Sequence, residues 1–196
     1  LNTEPLLLAK VSPADREPMR HRILNGADQT DVVVYAVTHK PPYGPRFYIY
    51  ETEDEVLTSM TDLVRAVNEM DGTRLVIKSH PGYPYTESEL RSLLPESDKI
   101  TVLQREPFSE VLSVADMLVS YSSTTIDEAV YHRVPVLLYD RWSRYSHLDA
   151  YDCDAEEACK PAAVYYTTSP ERLSTTLSHI LRNRAIVRED DTLYAR

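Results

Sequence analysis

The sequence predicts one α/β domain, an open parallel sheet with helices on both of its faces. Three observations predict it. Short β-branched runs alternate with helix-period segments along most of the 196 residues. The runs are nearly continuous in apolar residues, as strands buried on both faces are, rather than alternating. The residues just past successive runs are donors and cations, at the edge where open α/β sheets hold their ligands.

The first strand is Asp31-Val-Val-Val-Tyr-Ala-Val37, followed by a loop, His39-Lys-Pro-Pro-Tyr-Gly-Pro-Arg46, with three prolines and a glycine. A strong helix comes next. Val56, Leu57, Met60, Leu63, Val64, Val67 and Met70 make one apolar stripe, with Gly72 placed to end it. Strand two is Arg74-Leu-Val-Ile-Lys78, followed by Ser79-His80-Pro81-Gly82, and a short helix over 87–94 leads to strand three, Ile100-Thr-Val-Leu103. Pro107 opens a helix carrying Phe108, Val111, Leu112 and Ala115 on one side. Strand four is Met117-Leu-Val-Ser120; a helix from about Thr124 to His132 and strand five, Val134-Pro-Val-Leu-Leu-Tyr139, follow. The stretch 141–162 is polar and irregular, Ala163-Val-Tyr-Tyr166 reads as a last strand, and Leu173, Leu177, Ile180 and Leu181 mark a closing helix. The order implies right-handed crossovers and a Rossmann-like domain over 30–183. Residues 1–29 lack periodicity and read as a linker or N-terminal extension, and 184–196 as a C-terminal tail. The chain opens at Leu1, and a piece of a longer protein is expected.

A formal charge of −10 disfavours nucleic acid as a partner, because that partner is met by a basic face. No run approaches the ~20 apolar residues of a membrane span, and no signal peptide is recognisable. Cys153 and Cys159 make neither a CxxC motif nor a disulfide framework, so free thiols in a reducing cytosol are expected. The four glycines stand singly, which leaves neither a dinucleotide fingerprint nor a P-loop; no cofactor is expected, and no metal-ligand spacing is recognisable.

Donors nevertheless recur past the strands, which suggests an anion site on an acidic chain. Ser120-Tyr-Ser-Ser-Thr-Thr-Ile-Asp-Glu128 places Ser122, Ser123 and Thr124 where a strand turns into a helix, beside free backbone N–H groups. Thr125 with Glu128 also fits a capping box, so capping and phosphate binding both stand. Pro81 holds His80 extended off the strand end, as a donor to phosphate or as an ordinary loop histidine, and Lys78 lies on the same side of the strand. His39, Lys40 and Arg46 line the cleft or decorate a stiff loop, and Glu128 binds ribose hydroxyls or complements the helix dipole. Trp142, Tyr145 and Tyr151 cover a base or simply pack.

Leu75-Val-Ile-Lys-Ser-His-Pro-Gly82 and Ala115-Asp-Met-Leu-Val-Ser-Tyr-Ser-Ser123 are about forty residues apart. Together they resemble the nucleotide-binding C-terminal half of GT-B fold glycosyltransferases of the His-Pro and Ser-Ser motif type. These include bacterial sialyl- and polysialyltransferases, Kdo transferases and CDP-glycerol glycerophosphotransferases. Ile126-Asp-Glu-Ala-Val-Tyr-His-Arg-Val-Pro-Val-Leu-Leu-Tyr139 is similar to their following helix and strand, so the resemblance covers about 30–140. It implies a CMP- or CDP-linked donor, metal-independent transfer in surface polysaccharide synthesis, and donor-phosphate contacts by His80, Ser122 and Ser123. It also implies a glycan acceptor bound through an N-terminal domain that this chain is too short to contain, so that catalysis by these residues alone is not expected. A cytoplasmic place, at the inner membrane face by peripheral association of the full-length protein, follows from the same resemblance. A UDP-sugar 2-epimerase-like enzyme, and a non-catalytic nucleotide-binding or scaffold domain, are the alternatives.

Overall fold

The computed structural model describes residues 13–26, 30–37, 50–144, 149–155 and 160–194. Seven parallel strands form one sheet in the order β3-β2-β1-β4-β5-β7-β6. They are β1 (Asp31–Ala36), β2 (Thr73–Lys78), β3 (Ile100–Leu103), β4 (Met117–Ser120), β5 (Val136–Tyr139), β6 (Tyr151–Asp152) and β7 (Val164–Thr167). The helices are α1 (Pro13–Leu24), α2 (Glu53–Asn68), α3 (Glu87–Leu93), α4 (Phe108–Val114), α5 (Thr125–Tyr131) and α6 (Leu173–Glu189).

The winding reverses beside β1. From β1 the chain runs outward through β2 and β3, then returns to lay β4 on the other side of β1. One sheet face, with Val33, Tyr35, Leu75, Ile77, Val119 and Leu137, shares a core with Met60, Leu63 and Val64 of α2, Leu90 of α3 and Leu177 and Ile180 of α6. The other face, with Val32, Val34, Val76, Leu118, Val136 and Leu138, packs on Val111 and Val114 of α4 and Ile126 and Ala129 of α5. Val32, Val33 and Val34 are fully buried, which is why this strand reads as continuous rather than alternating. The α/β class and the parallel sheet covered on both faces agree with the sequence expectation.

Local signals set the helix starts. Thr52 caps α2 and Thr86 caps α3, each through a reciprocal capping box with the glutamate three residues on, Glu55 and Glu89. After α2, Gly72 takes φ 63° to turn the chain into β2, a conformation that glycine adopts at low cost.

The structure departs from the sequence reading at both ends. Residues 13–24, which show no helical stripe, form α1. Its Ile23 and Leu24 enter the second core while Arg22 pairs with Glu110 of α4. Past residue 183 the chain continues α6 to Glu189, burying Val187, and Arg188 donates to the Ala115 carbonyl at 2.8 Å. Arg133 then pairs with Asp191 and sits over the Tyr194 ring. β6 has no counterpart in the sequence reading; its two residues are too few to show a period.

One buried carboxylate ties both terminal helices to the sheet. Asp116, 6% exposed, accepts from the Val32 N–H at 2.9 Å, while its own N–H donates to the Val32 carbonyl at 2.8 Å. Arg16 and Arg20 of α1 and Arg184 and Arg188 of α6 approach it at 3.5, 3.6, 3.5 and 3.7 Å. Asp116 thus joins β1 to β4 at their amino ends, directly below the point of reversal.

Candidate functional site

Ala36 stands level with Lys78 on one side and with Ser120 on the other, so β1, β2 and β4 end together at the point of reversal. Their continuations and the first residues of α4 and α5 enclose a cavity of about 360 Å³. Ala36, Val37, Pro81 and Phe108 make its apolar walls, and Lys78, Ser79, His80, Ser123 and Thr125 supply polar groups.

Three features fix the β2 side. Ser79 N–H donates to the Leu103 carbonyl at 2.9 Å, and Gln104 N–H donates to Glu87 Oε1 at 2.7 Å, which binds the ends of β2, β3 and α3 to one another. Lys78 Nζ donates to the carbonyls of Ser79 at 2.9 Å and Gln104 at 2.7 Å. Burial lowers the Lys78 pKa, an effect opposed by Glu106 and Glu87. Its ammonium is therefore a strut between the ends of β2 and β3, beside the cavity that Lys78 lines. Beyond it, His80 is exposed at the head of a tight turn: Tyr83 N–H donates to the His80 carbonyl at 2.8 Å, and Gly82 N–H donates to His80 Nδ1 at 3.0 Å.

On the β4 side Ser122 is buried, Ser123 is half-buried and Thr124 is exposed. Ser123 Oγ accepts from Thr125 N–H at 3.3 Å, and the Ser123 carbonyl accepts from Ile126 N–H at 3.2 Å. The capping box open to Thr125 and Glu128 does not form. Thr124 is the N-cap residue, it makes no side-chain capping bond, and Thr125 Oγ1 is buried with no hydrogen-bond partner among the described residues. Ser120 Oγ, fully buried at the end of β4, is likewise unpartnered among them. A buried hydroxyl without a partner costs about 1–3 kcal/mol, so a polar ligand here would satisfy an existing deficit.

The remaining residues divide clearly. Lys78, His80 and Ser123 line the cavity, whereas Ser122, Thr124 and Glu128 belong to the same loop and helix but not to its lining. Glu128 is half-buried on α5, and burial followed by the neighbouring Asp127 charge raises its carboxyl above the ordinary range. His39, Lys40, Arg46 and Tyr145 lie outside the described residues. Trp142 is partly exposed with Arg141 and Arg144 at 5.3 and 5.9 Å from its ring, and Tyr151 packs edge-on against Tyr165. Sequence reasoning missed three contributors. Phe108 fits a helical core stripe, yet it opens α4 and lines the cavity. Thr125, last of the four consecutive hydroxyls, stands between capping and phosphate binding in the sequence and is not singled out there as a site residue. The Gly82 amide carries no side-chain signal, although its place two residues after His80 could have suggested a turn.

A further polar cluster flanks the ends of β4 and β5. Tyr121 is buried with an unpartnered hydroxyl among the described residues; burial, then Asp140 and Glu51, drive its pKa well up. Asp140 accepts from Tyr166 OH at 3.2 Å, and Arg144 pairs with Glu55 and donates to the Tyr50 carbonyl at 2.7 Å.

No protein-family model matches the chain, and no curated protein matches it. Solved structures do share its fold. The wall teichoic acid polymerase TagF aligns with TM-score 0.59 at 13% identity, over 97% of this chain and 44% of that one. A UDP-GlcNAc 2-epimerase from Neisseria meningitidis, bound to UDP-GlcNAc, aligns with TM-score 0.59 at 11% identity, over 93% and 45%. A UDP-N-acetylglucosamine 2-epimerase from Listeria monocytogenes gives 0.57 at 15%, over 89% and 43%. The chain thus spans less than half the length of each, and at these identities the likeness is one of fold: a Rossmann-like half of the GT-B type.

Proposed function

We propose that this chain is the donor-nucleotide domain of a metal-independent glycosyl- or glycerophosphotransferase that uses a CMP- or CDP-linked donor in surface polysaccharide synthesis. The observation that carries the reading is the cavity at the point of reversal. It sets His80 and the Ser123 and Thr125 hydroxyls, the second buried and without a partner among the described residues, against an apolar slot formed by Val37, Pro81 and Phe108. A nucleotide has the matching halves, a flat weakly polar base and an anionic phosphate. A structure of TagF soaked with CDPG shares the fold with TM-score 0.58, which supports a cytidine donor. In this reading Ser122, Ser123 and Thr124 surround the phosphate, His80 donates to it, and Lys78 contributes positive potential from below. Glu128 would face the ribose, and His39 and Lys40 are further donor contacts that this reading proposes. The acceptor glycan would enter through a further domain of a longer protein, acting at the inner membrane face.

The epimerase-like reading has its own support, since two epimerase structures align as well as TagF does. Isothermal titration with CMP, CDP and UDP separates the two. Cytidine-selective binding that is lost in Ser122→Ala/Ser123→Ala supports the transferase. A uridine preference supports the epimerase, and absence of binding to any nucleotide removes both for this chain.

A further inference from the structure

His80 is held by its own turn, and the way it is held limits its chemistry. Gly82 N–H donates to His80 Nδ1 at 3.0 Å, while Tyr83 N–H donates to the His80 carbonyl at 2.8 Å. A Cβ built on Gly82 would meet Nδ1 at 3.3 Å and Cε1 at 3.7 Å, so the peptide lies against the edge of the imidazole. A nitrogen that accepts from an amide cannot carry the proton of a neutral ring, which leaves that proton on Nε2. We infer that the Gly82 amide is a positioning group which locks neutral His80 as the Nε2–H tautomer, so that His80 meets the ligand as a hydrogen-bond donor and not as a base.

The inference rests on the nucleotide reading for the identity of the ligand but not for the lock itself. In this tautomer the Nε2 lone pair belongs to the aromatic ring and the Nδ1 lone pair accepts the Gly82 N–H, so His80 has no free nitrogen with which to take a proton. Donating outright would leave an imidazolate, so during departure of a phosphate the proton stays on Nε2 and stabilises the growing charge through a hydrogen bond. No bond to hydrogen is made or broken at His80.

Long-range ¹H–¹⁵N correlation spectra of the histidine-labelled chain read the tautomer directly, with no nucleotide present. The expected result is a single neutral form with Nδ1 as acceptor and Nε2 protonated. Gly82→Pro removes the N–H and should release a mixture of tautomers, with the backbone amide spectrum checking that the fold is intact. A protonated Nδ1 or a tautomer mixture in the unaltered chain would overturn the lock. So would a folded Gly82→Pro variant whose tautomer is unchanged. Failure of nucleotide binding, by contrast, would leave these spectra as they are and would count only against the proposed function.

Discussion

Replacing Asp116 by alanine is the sharpest test of how the fold holds the two strands at the point of reversal. The carboxylate is 6% exposed and takes the Val32 N–H at 2.9 Å, with four guanidinium groups within 3.7 Å. The Arg20 side chain is 9% exposed and that of Arg188 is 27% exposed, so neither can turn freely to solvent when its counter-charge is removed. Breaking a buried ion pair on one side costs about 3–5 kcal/mol, because the remaining charge stays desolvated. Against a typical total of about 5–15 kcal/mol, that is a large share. At about 2–4 °C per kcal/mol for a chain of this size, Tm should fall by about 6–20 °C. Arg16 provides the internal control. Its side chain is 35% exposed at 3.5 Å from Asp116, and Arg16→Ala should cost about 0–1 kcal/mol. Urea denaturation of both variants measures the difference. A loss below about 1 kcal/mol for Asp116→Ala, or equal losses for the two, would show that the carboxylate does not organise the cluster.

Three further outcomes are expected. Thr125→Val removes a buried hydroxyl that has no partner among the described residues and keeps its shape. The ligand-free chain should gain up to about 1 kcal/mol in thermal scans, while CDP affinity in titration calorimetry falls. Ser123→Ala should weaken CDP about ten- to a hundredfold, the value of a hydrogen bond to a charged group, and should also cost about 1 kcal/mol of stability, because the bond from Thr125 N–H is lost. Burial, then Asp127, raises the folded-state pKa of Glu128, so its contribution is fully present below the unfolded pKa and is lost as pH rises through the folded one. Glu128→Gln should therefore be more stable than the unaltered chain near neutral pH, with the difference vanishing in mild acid, as chemical denaturation at the two pH values would show.

Much of this architecture is legible in the sequence, and the exceptions have physical causes. Strands β1, β2 and β4 are legible because sheets covered on both faces need unbroken apolar runs, and Val32–Val34 and Leu118–Val119 provide them. α2 is legible because its stripe runs for four turns. α1 is not, because Arg20 is buried on the same helix as Ile23 and Leu24, and its interior Pro18 argues against a helix altogether. The extension of α6 past residue 183 is hidden for a related reason: Arg184 and Arg188 read as solvated tail residues until Asp31 and Asp116 are seen beside them. At the site, His80 and Ser123 could be picked out because their residue types and strand-end positions carry the signal. Thr125 is ambiguous in the sequence because a local capping box competes with a phosphate contact; in the structure the box does not form, and the hydroxyl has no partner among the described residues. The Gly82 amide was beyond reach, since a backbone donor leaves no trace in residue identity.

In the proposed function, the reversal of strand order beside β1 holds a nucleotide phosphate. Amide shift mapping of the ¹⁵N-labelled chain during a CDP titration tests it most directly. The expected result is saturable shifts centred on Gly82, Ser123 and Ile126, absent from Asp31, Asp71 and Thr73 at the opposite edge of the sheet. Shifts centred on that opposite edge, or none at saturating CDP, would contradict it.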